Sequence, residues 1–145
     1  MITVKEEKLE IALEVHSHIP EFVETKSDKI YFEDRYKGKK KIILCAYQEE
    51  IPVGYLIAYD KYEDGSFYCW MAGVIPKYRK NGALTALMEH LFQHAKENGY
   101  TKIKIRTRNN RRKMLHFLVK NGFDFTKVER KERRQENRIN LEKDV

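Results

Sequence analysis

The order of apolar and polar positions in the middle of the chain predicts three consecutive strands. Two β-rich runs, at 42–47 and 53–59, flank the turn QEEIP and predict an antiparallel hairpin. A third run, at 67–74, follows a turn signal at 63–65 and stops before Pro76, which lacks a backbone donor. Together these runs predict a β-meander.

The remaining segments predict helices and further strands on both sides of the meander. Before it, we expect a short strand at 1–4, a helix at 9–15 and a short helix within 26–41. After it, apolar residues at 84–98 recur with i, i+3, i+4, i+7 spacing, which predicts an amphipathic helix closed by Asn98-Gly99. A strand at 102–107, a helix at 111–120 and two strands in the tail follow. The pattern predicts a single α/β domain, residues 1–145, with the element order β, helices, βββ, α, β, α, ββ.

The segment between the third strand and the long helix has the composition of an anion site. If the strands at 67–74 and 102–107 are parallel neighbours, the helix between them forms a right-handed crossover. Anions bind where such a strand ends and the helix begins, because free N–H groups and the helix dipole point there. Arg79, Lys80, Asn81 and Gly82 lie at this point. The pattern indicates a pyrophosphate cradle, and the alternative is a plain helix N-terminus with a flexible loop.

Charge favours an anionic partner without identifying it. Lysine and arginine outnumber acidic residues 29 to 22, for a net charge of +7. Nucleic acid, a membrane surface and a phosphate-bearing cofactor all remain open on this basis alone. Residues 102–113 hold seven basic side chains and no acidic one, and Lys77, Arg79 and Lys80 form a second cluster.

Composition excludes several other classes. A 145-residue chain with 41% hydrophobic residues can bury a real core. No apolar run approaches the roughly 20 residues of a membrane span, so we expect a soluble, cytoplasmic protein without a membrane partner. Cys45 and Cys69 lie inside apolar runs and are expected to be reduced, buried thiols. The histidines show no metal-ligand spacing, and we predict no metal site.

Motif residues in the second half carry a resemblance to a known family. Val74, Pro76, Arg79 and Gly82 precede an apolar helix, and residues 121–123, Asn-Gly-Phe, close the next helix. Over about 42–125 this arrangement resembles the GNAT family of N-acetyltransferases, whose pattern is Gln or Arg, two residues, Gly, one residue, then Gly or Ala. The resemblance implies an α/β fold with a central mixed sheet of six to seven strands flanked by about four helices. This sheet would be splayed between the strands at 67–74 and 102–107, with acetyl-CoA in the gap. It also implies acetyl transfer to a primary amine by direct attack in a ternary complex.

The resemblance assigns cofactor contacts by position. The backbone of 72–74 would bind the pantetheine arm, amides at the helix start would cradle the pyrophosphate, and residues before the last helix would assist. These expected cofactor-binding residues are Ala72, Gly73, Val74, Arg79, Lys80, Asn81, Gly82, Ala83, Leu84, Thr85, Asn110 and Arg111.

Three positions depart from the family pattern. Leu84 replaces the usual Gly or Ala, and we expect its side chain to face the core and leave its amide free. Leu118 stands where many relatives have a tyrosine that protonates the leaving thiolate, and leucine cannot donate a proton. Arg106 stands where some relatives have a glutamate. The general acid and the general base are therefore not identified by the resemblance.

Four residues are candidates for the acceptor side. Tyr68 and Trp70 occupy positions where other relatives carry a Glu or His base. A phenol with a pKa near ~10 is a poor base at neutral pH, so Tyr68, although the candidate catalytic residue, is interpreted as orienting the substrate. Glu21 would hold the ammonium of the amine, and Arg106 would bind an anionic substrate or the cofactor. Solvated surface roles are the alternatives for Glu21 and Arg106.

Two other functions remain as alternatives. A non-catalytic acetyl-CoA sensor is favoured by Leu118 and Arg106. A basic nucleic-acid-binding module is less favoured, because the chain lacks a recognisable reading helix, zinc ligand set or aromatic RNA-binding motif, and we predict no nucleic-acid partner. The acceptor amine, whether a small molecule, a peptide or a protein, is not identified by the sequence, and a homodimer is left open.

Overall fold

The computed structural model describes residues 1–23 and 28–145, so the start of the mixed segment at 26–41 lies outside the described residues. The described part of the chain forms seven strands and four α-helices. In chain order they are β1 (Ile2–Glu6), α1 (Leu9–His16), α2 (Lys29–Tyr36), β2 (Lys41–Gln48), β3 (Ile51–Tyr59), β4 (Ser66–Val74), α3 (Ala83–Glu97), β5 (Lys102–Arg108), α4 (Arg112–Lys120), β6 (Asp124–Glu129) and β7 (Arg138–Asp144). Short 3-10 turns occur at Pro20–Phe22, Pro76–Tyr78 and Arg134–Glu136.

The strands form one mixed sheet in the order β1-β2-β3-β4-β5-β7-β6. β4 and β5 are parallel neighbours, joined by the α3 crossover, and the other pairs in the described chain are antiparallel. The predicted fold class is confirmed, as is the adjacency of the strands on either side of the long helix. The β2–β3 turn is tighter than predicted. Only Glu49 and Glu50, both with positive φ, connect the strands, and Pro52 lies inside β3.

β4 separates from β5 at a β-bulge. In the register with β3, Met71 lies opposite Ile57 and Cys69 opposite Ala58, so Trp70 is an extra residue in β4. A bulge bends its strand and increases the local twist. The last β4–β5 pair is Cys69 with Ile105, although β4 continues to Val74 and β5 to Arg108. The predicted splay between the two strands is confirmed, and the bulge provides its physical cause.

Two apolar cores lie on opposite faces of the sheet. α3 and α4 cover one face, where Leu87, Leu91 and Leu118 are fully buried. α1 and α2 cover β2, β3 and β4 on the other face, where Val15 and Phe32 are fully buried. The second core includes no described residue of β5, β6 or β7. The gap between β4 and β5 is therefore bordered by α3 on one face and by α1 and the turn after it on the other.

The helix ends follow the local sequence. Gly82, with φ of +85°, is the N-cap of α3, and Gly99, with φ of +82°, follows its C-terminus. The amide of Tyr100 donates to the carbonyl of Ala95 (3.0 Å), and the amide of Phe123 donates in the same way to Leu118 (3.0 Å). These are Schellman-type ends, in which an N–H beyond the glycine satisfies a carbonyl of the last turn. The predicted Asn-Gly helix stops are confirmed.

Both cysteines are free and buried, and burial raises the pKa of each thiol to about 12. The prediction of buried thiols without a disulfide at Cys45 and Cys69 is confirmed. None of the helices formed by residues 1–23 and 28–145 is long and apolar enough to cross a bilayer.

Candidate functional site

The end of β4 turns backbone groups of alternate residues toward the gap. The amide of Ile75 donates to Val53 on β3 (2.8 Å), which sets the alternation of the backbone groups along the strand. The N–H and C=O groups of Ala72 and Val74 therefore point away from β3, into the gap. Gly73 pairs instead with Tyr55 across the β3–β4 ladder. Of the three residues predicted to bind the pantetheine arm, Ala72 and Val74 thus direct backbone groups into the gap, and Gly73 does not.

The turn at 79–82 and the first turn of α3 form a concave set of amides. Lys80 and Gly82 have φ of 69° and 85°, and such alternation of left-handed residues turns successive N–H groups toward one side. The first helical hydrogen bond runs from the Ala86 amide to the Gly82 carbonyl (2.9 Å). The amides of residues 83–85 lie before it, in the first turn, where N–H groups have no acceptor within the helix. A Cβ built on Gly82 has nothing within 4 Å. The segment therefore has both the donors and the space for a pyrophosphate.

The side chains around this turn differ in their exposure. Leu84 is partly buried and packs against the α3 core, as expected for a residue that leaves its amide at the helix start. Lys80, Asn81 and Thr85 are exposed, and Asn81 Nδ2 donates to Gln48 Oε1 (3.1 Å). Ala83 is buried beneath the turn.

Arg79 links the end of β4 to the Pro20–Phe22 turn. Its Nε donates to the Val74 carbonyl (2.9 Å), and its Nη1 and Nη2 donate to Glu21 Oε2 (2.8 Å) and Oε1 (2.9 Å). The hydrogen bond from Arg79 lowers the pKa of the Glu21 carboxyl. Glu21 thus lies beside the gap as predicted, but both carboxylate oxygens already accept from a guanidinium. Its ammonium-binding role stays a prediction.

Arg111 and the Pro20–Phe22 turn complete this contact. Arg111 Nη2 donates to the Glu21 carbonyl (2.9 Å), and its guanidinium lies 5.4 Å from the centre of the Phe22 ring. A Cβ added at Gly73 would come within 2.8 Å of Phe22 and 2.9 Å of Ile19, so the turn packs directly on the end of β4. Asn110 is exposed, and its amide donates to Gln135 (3.0 Å).

Tyr68 and Trp70 lie on the face opposite α3. Tyr68 is 3% exposed, and burial, followed by the neighbouring Tyr62, raises the pKa of its phenol well above the usual value. Trp70 is half-buried, and the guanidinium of Arg35 lies 4.9 Å from the centre of its ring. Arg35 Nε also donates to the Tyr59 hydroxyl (2.9 Å). This wall of the gap is aromatic and cationic.

Arg106 lies near this wall and is not a freely solvated side chain. Its Nε and Nη2 donate to Glu129 (3.0 and 2.9 Å), and these hydrogen bonds lower the pKa of the Glu129 carboxyl to about 2. Asn140 Nδ2 donates to the same carboxylate (2.8 Å). Within the ranges that the structure describes, no group of three or more His, Cys, Asp or Glu side chains has the arrangement of a metal site.

Several residues at the site were not predicted from the sequence, namely Arg35, Lys61, Glu129 and Arg138. Lys61 Nζ lies 4.6 Å from the centre of the Tyr68 ring, and Arg106 pairs with Glu129. These side chains come from α2, the β3–β4 loop, β6 and β7, so no local spacing in the sequence brings them together.

Comparisons with solved structures show the same fold. The ribosomal-protein-S18-alanine N-acetyltransferase from Escherichia coli superposes with a TM-score of 0.81 at 15% identity, over 100% of this chain and 94% of the other. Ard1 from Thermoplasma volcanium gives 0.80 at 16% identity, over 99% and 97% of the two chains. The yncA protein from Salmonella typhimurium, solved with its cofactor acetyl-CoA, gives 0.76 at 14% identity, over 99% and 93%.

Sequence comparisons point to one family. A search of curated protein sequences finds no match. The profile described as "Acetyltransferase (GNAT) family" matches residues 9–123, which include the β4 bulge, the 79–85 turn and α4. Because this match spans most of the chain, the protein belongs to the acetyltransferase (GNAT) family.

Proposed function

We propose that this protein transfers the acetyl group of acetyl-CoA to a primary amine, which attacks directly while both substrates are bound. The observation that carries the proposal is the gap at the Trp70 bulge. From there, the backbone groups of Ala72 and Val74 that point away from β3 lead to the amides at 80–85. A strand edge suits the amide-bearing pantetheine arm, and a helix N-terminus suits the pyrophosphate. The family match and the yncA structure, which was solved with its cofactor acetyl-CoA, support acetyl-CoA as the ligand.

The residues present fit acetyl-CoA. Ala72 and Val74 would bind the pantetheine amides, and 80–85 would bind the pyrophosphate. Arg79 would orient the cradle through its hydrogen bond to Val74, while Asn110 and Arg111 would border the cleft at the start of α4. When bound, acetyl-CoA supplies an acetyl group already activated as a thioester.

On the acceptor side, Tyr68 and Trp70 would orient the amine rather than deprotonate it. Because burial raises the pKa of Tyr68, the phenol stays protonated at neutral pH and can donate a hydrogen bond. An amine that is already neutral needs little beyond correct placement, which by itself supplies several kcal/mol of the barrier. Glu21 would act by holding Arg79 in place.

The test is release of free thiol from acetyl-CoA in the presence of a chemically diverse library of primary amines. We expect at least one amine to be turned over, with stoichiometric thiol release and an acetylated product of the correct mass. Heat stabilisation by acetyl-CoA without turnover of any amine would contradict acetyl transfer and indicate the sensor function.

Replacing Tyr68 with phenylalanine tests the orienting role. We expect turnover to fall by less than about tenfold, because one hydrogen bond is lost and no proton transfer. Both limbs of the pH–rate profile should remain. Tyr36→Phe is the control, since Tyr36 is also a buried tyrosine whose pKa is raised by burial, but it lies on α2. A fall of 10²–10⁴-fold with loss of one limb in Tyr68→Phe alone would make Tyr68 the catalytic base.

A further inference from the structure

Four cationic side chains surround Tyr68 on the acceptor face of the sheet. Lys61 Nζ lies 4.6 Å from the centre of the Tyr68 ring, and Arg35 lies over the neighbouring Trp70. Arg106 is two residues beyond Lys104, which pairs with Tyr68 in the β4–β5 ladder, and Arg138 lies opposite Arg108 in the β5–β7 ladder. We refer to Arg35, Lys61, Arg106 and Arg138 as the cationic cluster.

Within the described residues, only one carboxylate pairs with the cluster. Glu129, which lies opposite Arg138 in the β6–β7 ladder, accepts two hydrogen bonds from Arg106. Among the described residues, neither Lys61 nor Arg138 has a carboxylate within 4.0 Å. Burial and the neighbouring cations lower the pKa of Lys61. Among the residues that the structure describes, Arg35, Lys61 and Arg138 therefore have no carboxylate partner, whereas Arg106 is paired with Glu129.

The acidic side chains closest in sequence to Lys61 are engaged elsewhere. Asp60 accepts from the Tyr100 hydroxyl (3.0 Å), Glu63 pairs with Lys39 (3.0 Å), and Asp64 pairs with Lys104 (2.8 Å). None of them compensates the cluster.

The strand register places one more cation beside the cluster. Arg108 lies directly opposite Arg138 in the β5–β7 ladder. Ile103 and Ile105 are buried in the α3 core, so by alternation Arg106 and Arg108 project from the opposite face. Like charges directly opposite each other destabilise a sheet. A bound anion would relieve this repulsion, which is the arrangement expected of an anion-binding surface.

The cluster also lies at the correct place for an acceptor substrate. Tyr68 is paired with Lys104 in the last stretch where β4 and β5 run together, and Arg106 is the next β5 residue on that face, where the strands diverge. The second core does not cover β5 and β7 there. A molecule entering from this face would meet the cationic cluster before it reaches the gap.

From this placement we propose that the acceptor is an amine that also carries a carboxylate or phosphate group, bound by Lys61, Arg106 and Arg138. The inference rests on the proposed function and specifies its substrate class. A small amino acid or phosphoamine and an acidic peptide share this chemistry, and separate arms of the test distinguish them.

The first test compares amines that differ only in the anionic group. The small-molecule pairs are β-alanine with β-alaninamide, and 4-aminobutanoate with its amide. The peptide pair is a C-terminally amidated tetrapeptide with a free amino terminus and either aspartate or asparagine at its second position. We expect the anionic member of at least one kind of pair to have a kcat/KM about tenfold higher or more, as one charge-assisted hydrogen bond provides. Raising the ionic strength should reduce that preference.

The second test removes one cation. Arg138→Gln should raise KM for the preferred anionic acceptor about tenfold, with little change in kcat and no change in KM for its amide partner. Lys96→Gln, an exposed change in the last turn of α3, removes the same charge away from the site and should have no effect. Lys61→Gln is the second variant, in case Arg138→Gln does not fold. Thermal stabilisation by the anionic acceptor in the presence of coenzyme A gives a readout that does not need turnover.

The outcomes separate the two proposals. If amide and carboxylate members are acetylated equally, or if Arg138→Gln and Lys61→Gln affect both equally, the anionic acceptor is rejected and acetyl transfer stands. If no amine is acetylated, but anionic amines stabilise the wild type and neither cluster variant, the anion site stands and acetyl transfer is rejected.

Discussion

Replacing Gly82 with valine is expected to abolish the stabilisation of the protein by acetyl-CoA. A ligand that binds only the native state at a hundred times its dissociation constant adds about 2.7 kcal/mol to the free energy of unfolding. A side chain at Gly82 would occupy the open space in front of the amides at 80–85. The measurement is thermal unfolding with and without acetyl-CoA.

Gly99 provides a matched control for this change. It has φ of +82°, against +85° for Gly82, and a Cβ built on either residue meets nothing within 4 Å. Valine at either position should therefore cost a similar amount of backbone strain, about 1–3 kcal/mol, in the ligand-free protein. Only Gly82→Val should lose the rise in unfolding temperature that acetyl-CoA causes. A shift that survives in Gly82→Val, or disappears in both variants, would place the phosphate site elsewhere.

Replacing Leu118 with alanine is expected to lower the free energy of unfolding by about 2–5 kcal/mol while leaving turnover per folded molecule nearly unchanged. Leu118 lies on α4 and is fully buried in the core that α3 and α4 form against the sheet, so its loss leaves a cavity. It cannot transfer a proton, so thiolate protonation would come from solvent or from the acceptor ammonium. Denaturant unfolding and steady-state rates on the same preparation measure the two effects.

Val119 is the control for Leu118. It is the next residue on α4 and is 53% exposed, so Val119→Ala should change stability by no more than about 0.5 kcal/mol. If Leu118→Ala, corrected for its folded fraction, lost 10²-fold or more in rate together with one limb of the pH profile, this position would take part in proton transfer.

The parts of the fold that were predictable are those encoded by residues close in sequence. α3 was predicted at 84–98 and spans Ala83–Glu97, because its apolar spacing and its closing glycine are local signals. The adjacency of β4 and β5 was a condition of the predicted crossover and was implied by the family resemblance, not by the apolar pattern. The bulge at Trp70 was not predicted, because the extra residue is defined only against the register of β3. The two-residue turn at Glu49 and Glu50 was missed because glutamate is an uncommon residue at positive φ.

The candidate site also has a part that the sequence predicts and a part that it does not. The cradle at 79–85 was predicted because its amides, its glycine and its basic residues are contiguous. The link from Arg79 to Glu21 and from Arg111 to Glu21 joins residues 58 and 90 positions apart, and the cationic cluster draws on four separate segments. Such contacts depend on tertiary packing, which no local spacing reports. The charge run at 102–113 did indicate that β5 is basic, but not which face would use the charge.

The three donor nitrogens of Arg79 have a consequence for the affinities of the two substrates. One guanidinium holds the last carbonyl of β4 on the cofactor side and the carboxylate of Glu21 on the acceptor side. A substrate that alters either contact alters the other, so under the proposed function the two binding equilibria are not independent. Thermodynamic linkage then requires the effect to be reciprocal: any factor by which acetyl-CoA changes the acceptor's affinity is the factor by which the acceptor changes that of acetyl-CoA.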